Sequence, residues 1–294
     1  MSPSLPVELG GSAEAIRHHY DVGNDFFASW LDPSMAYSCA LWDGKDDESS
    51  LAEAQIRKLR YHAESVGAGP GMRILDVGCG WGAQMRTLLD DYGAASCVGL
   101  TLSEEQAAYV RGLGREDISV QITNWHDFAP EAPFDAVVSI GAFEHFAHPK
   151  QSQDERRAIY RRFFESCLRW TGGHGPLSLQ TIAYGTMEAG DANPFIADDI
   201  FPAAELPTLE DIVVASHGLF RITRLRDDGM DYSRTCQAWA QRLRAEMRRA
   251  DSPIDRELGE RYHRYLRLSA AGFAMGKVVL LRIRFDPIAP SGRG

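Results

Sequence analysis

The feature that most constrains the fold of this chain is a short apolar segment running directly into three closely spaced glycines, Arg73-Ile-Leu-Asp-Val-Gly-Cys-Gly-Trp-Gly82. Its apolar residues predict a buried strand. Gly78, Gly80 and Gly82 lack the Cβ atoms that would keep a ligand away from the backbone. The next residues, 83–92, carry apolar side chains at helical spacing. A strand, a glycine turn and a helix start together predict a nucleotide-type site, with backbone N–H groups facing the ligand.

From Arg73 onward, strand-like and helix-like patterns alternate. Predicted strands cover 73–77, 96–100, 118–122, 134–140, 176–182, 220–225 and 277–285, and predicted helices cover 83–92, 103–113, 154–170, 208–216, 231–249 and 256–275. This alternation predicts βαβ units, a parallel sheet and right-handed crossovers, and therefore an α/β fold. The second strand ends at Thr101-Leu-Ser103, which places hydroxyl groups where a ribose would lie.

The composition limits the partners of this 294-residue chain. Its net charge of −10 does not attract nucleic acid over the whole surface. No apolar run approaches the ~20 residues that span a bilayer, and residues 1–10 lack the basic and apolar regions of a signal peptide. The five cysteines form no C-x-x-C pair, which favours a reducing, cytoplasmic compartment without a zinc site. Peripheral membrane contact and homo-oligomerisation stay open.

The domain organisation follows from composition and periodicity. We expect residues 1–12 to be disordered and residues 13–294 to form a single domain, with an N-terminal helical cap at 13–70, a lid loop at 183–207 and arginine-rich C-terminal helices at 231–275. The aromatic cap either docks on the core as a hydrophobic cover or closes over a ligand. We interpret most arginines of the C-terminal helices as solvated.

Several further stretches carry distinctive residues: Tyr20-Asp-Val-Gly-Asn-Asp-Phe-Phe27, Tyr37-Ser-Cys-Ala-Leu-Trp42, Gly99-Leu-Thr-Leu-Ser103 and Ser139-Ile-Gly-Ala-Phe-Glu-His-Phe146. Together with the glycine segment they resemble the cyclopropane-fatty-acid synthase family, which includes the mycolic acid cyclopropane synthases and methyltransferases. The resemblance spans residues 16–285. It implies a class I methyltransferase (Rossmann-like) fold with a seven-stranded, mostly parallel sheet, helices on both faces and a helical cap.

The same resemblance implies that S-adenosylmethionine (SAM) is the cofactor and S-adenosylhomocysteine (SAH) its product. Gly78, Gly80 and Gly82 would approach the methionine and ribose portions. The remaining implied cofactor residues are Tyr37 and Ser38 from the cap, Thr101, Leu102 and Gln106 near the ribose or the methionine carboxylate, and Trp125, His126 and Ile140 near the adenine.

In the family a bicarbonate ion acts as the base, and the implied positions here are Cys39, Glu144, Gln180, Ile182 and Tyr232. Gln180 departs from the family, which has a histidine there. Glutamine can donate a hydrogen bond but cannot carry the positive charge that would offset an anion beside Glu144. We therefore predict weak or absent bicarbonate binding, with Glu144 taking the proton directly or through water.

Two functions are compatible with these residues. The first is C-methylation of the C=C bond of a hydrophobic acyl or isoprenoid chain through a carbocation, which gives a methyl-branched alkene or a cyclopropane. Aromatic faces can stabilise such a cation, and the candidates are Tyr20, Phe26, Phe27, Trp42, Phe143 and Phe146. The alternative is methylation of a small natural-product metabolite at nitrogen, oxygen or activated carbon. The lid, shorter than in the mycolic acid enzymes, favours a smaller or differently shaped substrate.

Overall fold

The structure, a computed structural model, describes residues 22–44, 48–187 and 205–288. Its strands are β1 Arg73–Val77, β2 Ser96–Thr101, β3 Ile118–Ile122, β4 Ala136–Ile140, β5 Leu177–Tyr184, β6 Phe220–Asp227 and β7 Val278–Pro287. Its helices are α1 Asn24–Trp30, α2 Leu51–Ser65, α3 Ala83–Asp90, α4 Glu104–Gly112, α5 Gln153–Trp170, α6 Leu209–Ser216, α7 Gly229–Glu246 and α8 Arg256–Ala274, with a 3₁₀ turn at Phe143–His145. The predicted disordered terminus and most of the predicted lid loop lie outside the described residues.

The strands form one sheet of order β3-β2-β1-β4-β5-β7-β6. The first five strands are parallel, and β7 runs antiparallel between β5 and β6. The predicted seven-stranded, mostly parallel α/β sheet is therefore confirmed. Strand order reverses at β1, which pairs with β2 on one side and β4 on the other. Ligands of open α/β sheets bind at such a switch point, beyond the carboxyl ends of the strands.

Apolar side chains cover both faces of the sheet, as parallel strands require. On one face, α5 contributes Phe163 and Trp170 to the largest buried cluster. On the other face, Met85 of α3 and Val110 of α4 pack against β1, β2 and β4. Both layers leave the carboxyl ends of the strands at the edge of the core, where a site can open.

The N-terminal segment packs mainly against the C-terminal helices. Phe27 and Trp30 of α1 share a buried cluster with Trp239 of α7 and Tyr262 of α8. The rings of Trp30 and Trp239 lie 6.0 Å apart in an edge-to-face arrangement, which adds to the stabilisation from area burial alone. The segment after α1, which carries Tyr37 and Ser38, is thereby held beside the carboxyl ends of the strands.

Helix α2 begins at a capping box, in which Ser50 and Glu53 satisfy each other's backbone N–H groups. Its buried face contains polar as well as apolar residues, and the long polar side chains are Gln55, Lys58 and His62. Long polar side chains are rarely buried unless they have partners. These three residues reach the functional regions described below. In the described part of the chain, no helix is long and apolar enough to cross a membrane.

Candidate active site

A pocket of about 1090 Å³, its open mouth included, lies at the carboxyl ends of β1, β2 and β4. Ligands of open α/β sheets bind at this place in the fold, so the position of the pocket suits a cofactor. Nine of the predicted cofactor residues line it: Tyr37, Ser38, Gly78, Gly80, Thr101, Leu102, Gln106, Trp125 and Ile140.

The glycines of the turn after β1 serve two different purposes, space for a ligand and close packing of the protein interior. Gly80 has a φ of 53°, and a Cβ built there meets nothing within 4 Å, so it would point into open space. A Cβ on Gly78 would lie 2.5 Å from the Cβ of Ala142, so this glycine lets two loops approach closely. Gly82 is not among the pocket-lining residues, and its approach to the cofactor stays a prediction. A Cβ there would meet Val110 of α4 at 3.3 Å, so Gly82 serves interior packing at the start of α3.

The pocket wall beyond β2 is polar. Thr101 donates a hydrogen bond to Gln106 (Oγ1 to Oε1, 2.7 Å) and accepts one from the backbone of Ser103. Farther along, Thr123, Asn124 and Trp125 line the pocket. His126 is exposed, lies 3.2 Å from Asp127 and is not among the pocket-lining residues, so its role near the adenine stays a prediction.

The pocket is also lined by two charged residues to which the sequence analysis assigned no role. Lys58 of α2 is only 1% exposed, and its Nζ donates to the Oγ of Ser38 over 3.0 Å. Burial lowers the pKa of Lys58 to about 8. Asp76 of β1 is also buried, its Oδ2 has no hydrogen-bond partner, and burial raises its pKa to about 7. Their sequence signals were a lysine on the apolar face of α2 and an aspartate within an apolar strand.

A second region lies beside the pocket and is organised around Glu144. This residue lies in the 3₁₀ turn after β4. Ala142 precedes it and His145 and Phe146 follow it; these three residues line the pocket, but Glu144 does not. Its Oε1 accepts a hydrogen bond from the backbone N–H of Ile182 at 2.7 Å, while its Oε2 has no hydrogen-bond partner among the described residues. Burial raises the pKa of Glu144 to about 7, against the opposing effect of the Ile182 hydrogen bond.

Gln180 of β5 belongs to a buried polar network. Its Oε1 accepts from Arg282 Nε at 2.8 Å and lies 3.2 Å from Nε2 of His62. Burial lowers the pKa of His62 well below its usual value, so His62 is neutral and can donate from Nε2 while Nδ1 accepts from Ser178. The sequence analysis expected no positive charge beside Gln180. That expectation was wrong, because the fully buried guanidinium of Arg282 lies directly beside Gln180.

The charge of Arg282 is compensated locally. Its guanidinium pairs with Asp228 and donates from Nη2 to the carbonyl oxygens of Cys39 (3.1 Å) and Ala40 (3.0 Å). Although burial opposes it, hydrogen bonds from Arg226 and the charge of Arg282 hold the pKa of Asp228 below its usual value. Asp228 is thus shared by two guanidinium groups, those of Arg282 and Arg226. The network ties β5, β7 and the segment after α1 together.

The remaining predicted catalytic residues lie in the same region. Cys39 is fully buried, and burial raises the pKa of its thiol to about 12, so it is not a nucleophile. Tyr232 of α7 stacks on Phe273 with ring centroids 4.5 Å apart. Cys39 and Tyr232 share an apolar cluster with Ile182. The structure thus brings Cys39, Glu144, Gln180, Ile182 and Tyr232 close to one another, although they come from separate elements.

The predicted cation-stabilising aromatics divide differently. Phe26, Phe27 and Trp42 pack in the cluster between α1 and the C-terminal helices, and Phe143 stacks on Tyr160 in the core. Phe146 alone of the described candidates lines the pocket. Tyr20 lies outside the described residues.

A reversing parallel sheet, a glycine turn at its switch point and buried charged and hydroxyl groups around the pocket define a class I SAM-dependent methyltransferase. The pocket fits this cofactor, because the open space at Gly80 admits a ligand against the backbone and the unpartnered Asp76 Oδ2 needs a donor. Trp125, Leu102 and Ile140 supply apolar walls for an adenosine.

Comparisons with known proteins identify the family. The family model for mycolic acid cyclopropane synthetase matches residues 9–283. Cyclopropane mycolic acid synthase 2 of Mycobacterium bovis is 36% identical over 279 residues, covering 89% of this chain and 90% of the relative. The cyclopropane synthase MmaA2 of Mycobacterium tuberculosis superposes with a TM-score of 0.83 at 34% identity, covering 95% of this chain and 99% of that one. The synthase CmaA1, solved with SAH and CTAB, gives a TM-score of 0.82 at 33% identity over 95% and 99% of the two chains.

The chain belongs to the mycolic acid cyclopropane synthetase family. It is a SAM-dependent methyltransferase, and the relatives that match it are named as cyclopropane synthases, a function of the predicted alkene C-methylation type. These findings favour this function over the alternative of a methyltransferase for small metabolites at nitrogen, oxygen or activated carbon.

Proposed function

We propose that this protein transfers the methyl group of SAM to the C=C bond of a hydrophobic acyl or isoprenoid chain, and that Glu144 removes the proton that completes the reaction. The observation that carries the proposal is the buried Glu144 carboxyl, whose Oε2 has no partner and whose pKa is about 7. The binding of CTAB, a lipid-like ligand, by the relative CmaA1 supports a hydrophobic substrate.

The chemistry sets three tasks for the residues around the pocket. SAM, when bound, supplies an electrophilic sulfonium methyl group. An alkene is a weak nucleophile, and after attack the chain carries a carbocation, so the protein must align the alkene, exclude water and accept a proton. Phe146 and Trp125 line the pocket, with ring centroids 5.1 Å apart. Their faces can stabilise a neighbouring cation.

Glu144 is suited to accept the proton. A base is most effective when its pKa lies near the working pH, and burial brings the pKa of Glu144 to about 7. The Ile182 N–H holds Oε1 in place. Oε2 accepts no hydrogen bond from the described residues. Tyr232, whose packing brings it into the Ile182 cluster, helps to enclose this region.

The proton acceptor in this proposal is Glu144 rather than a bound bicarbonate ion. The Ile182 N–H, one of the donors that the family resemblance assigns to bicarbonate, already donates to Glu144. The oxygen of Gln180 is engaged by Arg282 and His62, and the charge of Arg282 is compensated by Asp228. Both observations support weak or absent bicarbonate binding despite the nearby guanidinium.

The segment after α1 serves as the part of the 13–70 cap that closes over SAM. Tyr37 and Ser38 line the pocket. Gln55 of α2 donates to the carbonyls of Ala36 (3.2 Å) and Ser38 (2.9 Å), which fixes this segment in place. We assign this cap to a single methyltransferase domain at 13–294, and the predicted lid loop at 183–207 lies mostly outside the described residues.

The reaction is tested with SAM that carries a fully deuterated methyl group, incubated with candidate unsaturated acyl and isoprenoid chains and analysed by mass spectrometry. A carboxylate anchored on the protein need not reach the added methyl, so we expect proton loss from a neighbouring carbon and a methyl-branched alkene. That product keeps all of the methyl deuterium, whereas a cyclopropane loses one deuterium when its ring closes.

Each outcome has a distinct meaning. Retention of all deuterium in a branched alkene supports Glu144 as the base for a neighbouring carbon. Loss of one deuterium gives the cyclopropane and contradicts the proposed product. Transfer of label to nitrogen or oxygen acceptors, with none to any alkene, contradicts the proposed function itself.

A further inference from the structure

Lys58 has no part in the roles assigned so far, although it is a buried ammonium group at the pocket wall. It projects from the apolar face of α2, between Ala54 and His62, and is 1% exposed. Within the described chain its one hydrogen-bond partner is Ser38 Oγ, at 3.0 Å. An ammonium has three donors, so most of its hydrogen-bonding capacity remains available on a wall of the pocket.

A buried ammonium is costly unless a charge or several acceptors compensate it. The carboxyls close enough to influence Lys58 are those of Asp32 and Asp76, while Arg282 acts in the opposite direction. The Oδ2 of Asp32 instead accepts a hydrogen bond from the backbone N–H of Ser34 at 3.0 Å, and its Oδ1 has no partner among the described residues. Neither carboxyl forms a hydrogen bond or an ion pair with Nζ among the described residues, so the ammonium lacks a direct anionic partner.

Asp76 adds a second charge at the same end of the pocket. It is 2% exposed, lines the pocket and keeps Oδ2 without a donor. The pocket therefore presents an unsatisfied acceptor and an under-satisfied cation close together. A ligand that carries a carboxylate and an ammonium on one carbon would satisfy both, whereas a neutral or singly charged tail would leave one of them unpaired.

We propose that Lys58 is a specificity-determining residue that binds the α-carboxylate of SAM and so selects for the amino-acid tail of the cofactor. The inference rests on the proposed assignment of this pocket to SAM. Ser38 orients the ammonium, and Asp76 lies where it can receive the α-ammonium of the same tail. Charge-assisted hydrogen bonds of this kind are stronger and shorter than neutral ones.

The test compares two ligands by calorimetry on the wild-type chain and on Lys58→Met, which removes the charge and keeps most of the side-chain length. SAH carries the amino-acid tail, whereas 5′-methylthioadenosine has the adenosine and the sulfur without it. We expect Lys58→Met to weaken SAH binding roughly 10–100-fold, the scale of a hydrogen bond to a charged group. Affinity for 5′-methylthioadenosine should stay unchanged, which also reports that the variant is folded.

Decarboxylated SAH, which keeps the amine, separates the two charges of the tail. The wild-type chain should bind it more weakly than SAH, and Lys58→Met should abolish that preference. Ser38→Ala provides the matched control for an indirect role. If Lys58 binds the ligand itself, Lys58→Met still weakens SAH binding in the Ser38→Ala background.

The results that overturn the inference are equally specific. Equal loss of affinity for SAH and 5′-methylthioadenosine would make Lys58 a residue that supports the fold. Unchanged affinity for both ligands would leave it without a role in binding. Failure of the pocket assignment is distinguishable, because SAH would then still bind a Gly80→Val variant as tightly as the wild type.

Discussion

The cofactor pocket and the Glu144 region lie side by side but are built in opposite ways. The pocket is formed mainly by short segments that directly follow β1, β2 and β4, and its main requirement is space next to the backbone. The Glu144 region draws residues from α2, β5, α7, β7 and the segment after α1. Its main requirement is that each buried charged or polar group has a partner, because its ionisable residues are largely buried, namely Arg282, Asp228, Glu144 and His62.

The difference teaches where a substitution acts. A side chain added to the pocket competes with the ligand and leaves the fold intact. A side chain removed from the Glu144 region leaves another buried polar group unpaired, which costs stability or alters proton transfer. The expectations below test this contrast, beginning with the largest effect.

Gly80→Val should abolish SAM and SAH binding, because the new side chain enters the space that the turn leaves open. Calorimetry with SAH measures the loss. Gly114→Val is the matched control: Gly114 also has a positive φ (64°) and open space, but it does not line the pocket. Both variants carry the same kind of backbone strain, so binding lost equally in both would mean that strain, rather than occupied space, is responsible.

Arg282→Met should lower the free energy of unfolding by about 3–5 kcal/mol, since it breaks a buried ion pair and leaves two buried carbonyls without their donor. Urea denaturation measures this change. Arg284→Met is the control on the same strand, because its partner Asp286 and Arg284 itself are partly exposed. That variant should cost less than about 1 kcal/mol. Similar losses in both variants would contradict the special status of the buried network.

Glu144→Gln should lower kcat at least ~100-fold, the usual scale for the loss of a general base or a charge-stabilising group. Affinity for SAH should be unchanged, because Glu144 does not line the pocket. Glu144→Asp keeps the carboxylate but moves it closer to the backbone by one methylene, and it should recover part of the rate. A parallel loss of SAH affinity would instead make Glu144 a cofactor or fold residue.

The pH dependence of kcat should follow Glu144. A base acts only after losing its proton, so kcat should rise roughly tenfold per pH unit below the pKa and level off above it, with the bend near pH 7. Saturating SAM is required, since Asp76 in the pocket also has a pKa of about 7 and its titration affects cofactor affinity. The residual activity of Glu144→Gln should lack this bend; its persistence there would assign the bend to another group.

The smallest expected effect is that of bicarbonate. Activity should not change when dissolved carbon dioxide is removed, because the Ile182 N–H is occupied by Glu144 and the Gln180 oxygen by Arg282 and His62. Gln180→His should introduce some dependence on added bicarbonate. A rate that falls in depleted buffer and recovers with bicarbonate, in the wild-type protein, would restore the family's bicarbonate mechanism.

Much of the fold was predictable because local patterns and tertiary structure agree. The strands at Arg73–Val77 and Ile118–Ile122 have the predicted limits, and the predicted helix at 154–170 begins one residue earlier, at Gln153, where Ser152 and Glu155 form a capping box. The part of the pocket formed by the glycine turn after β1 was also predictable from the sequence, since a positive φ favours glycine at those positions. Gly82 and His126 are not among the pocket-lining residues, because adjacency in a motif does not specify which way a residue faces.

The sequence by itself determined the alternating strands and helices, the glycine turn and the motifs that identify the family, because each depends on neighbouring residues. The tertiary structure decided which charges are buried and by what they are compensated. In the sequence, a buried lysine on α2 or a buried arginine in β7 cannot be told apart from a solvated one. Arg242, which was interpreted as solvated, donates hydrogen bonds to the carbonyls of Trp30 and Leu31. Lys58 and Arg282 gain their roles only where distant elements exclude water around them, since the strength of an electrostatic interaction depends on its surroundings.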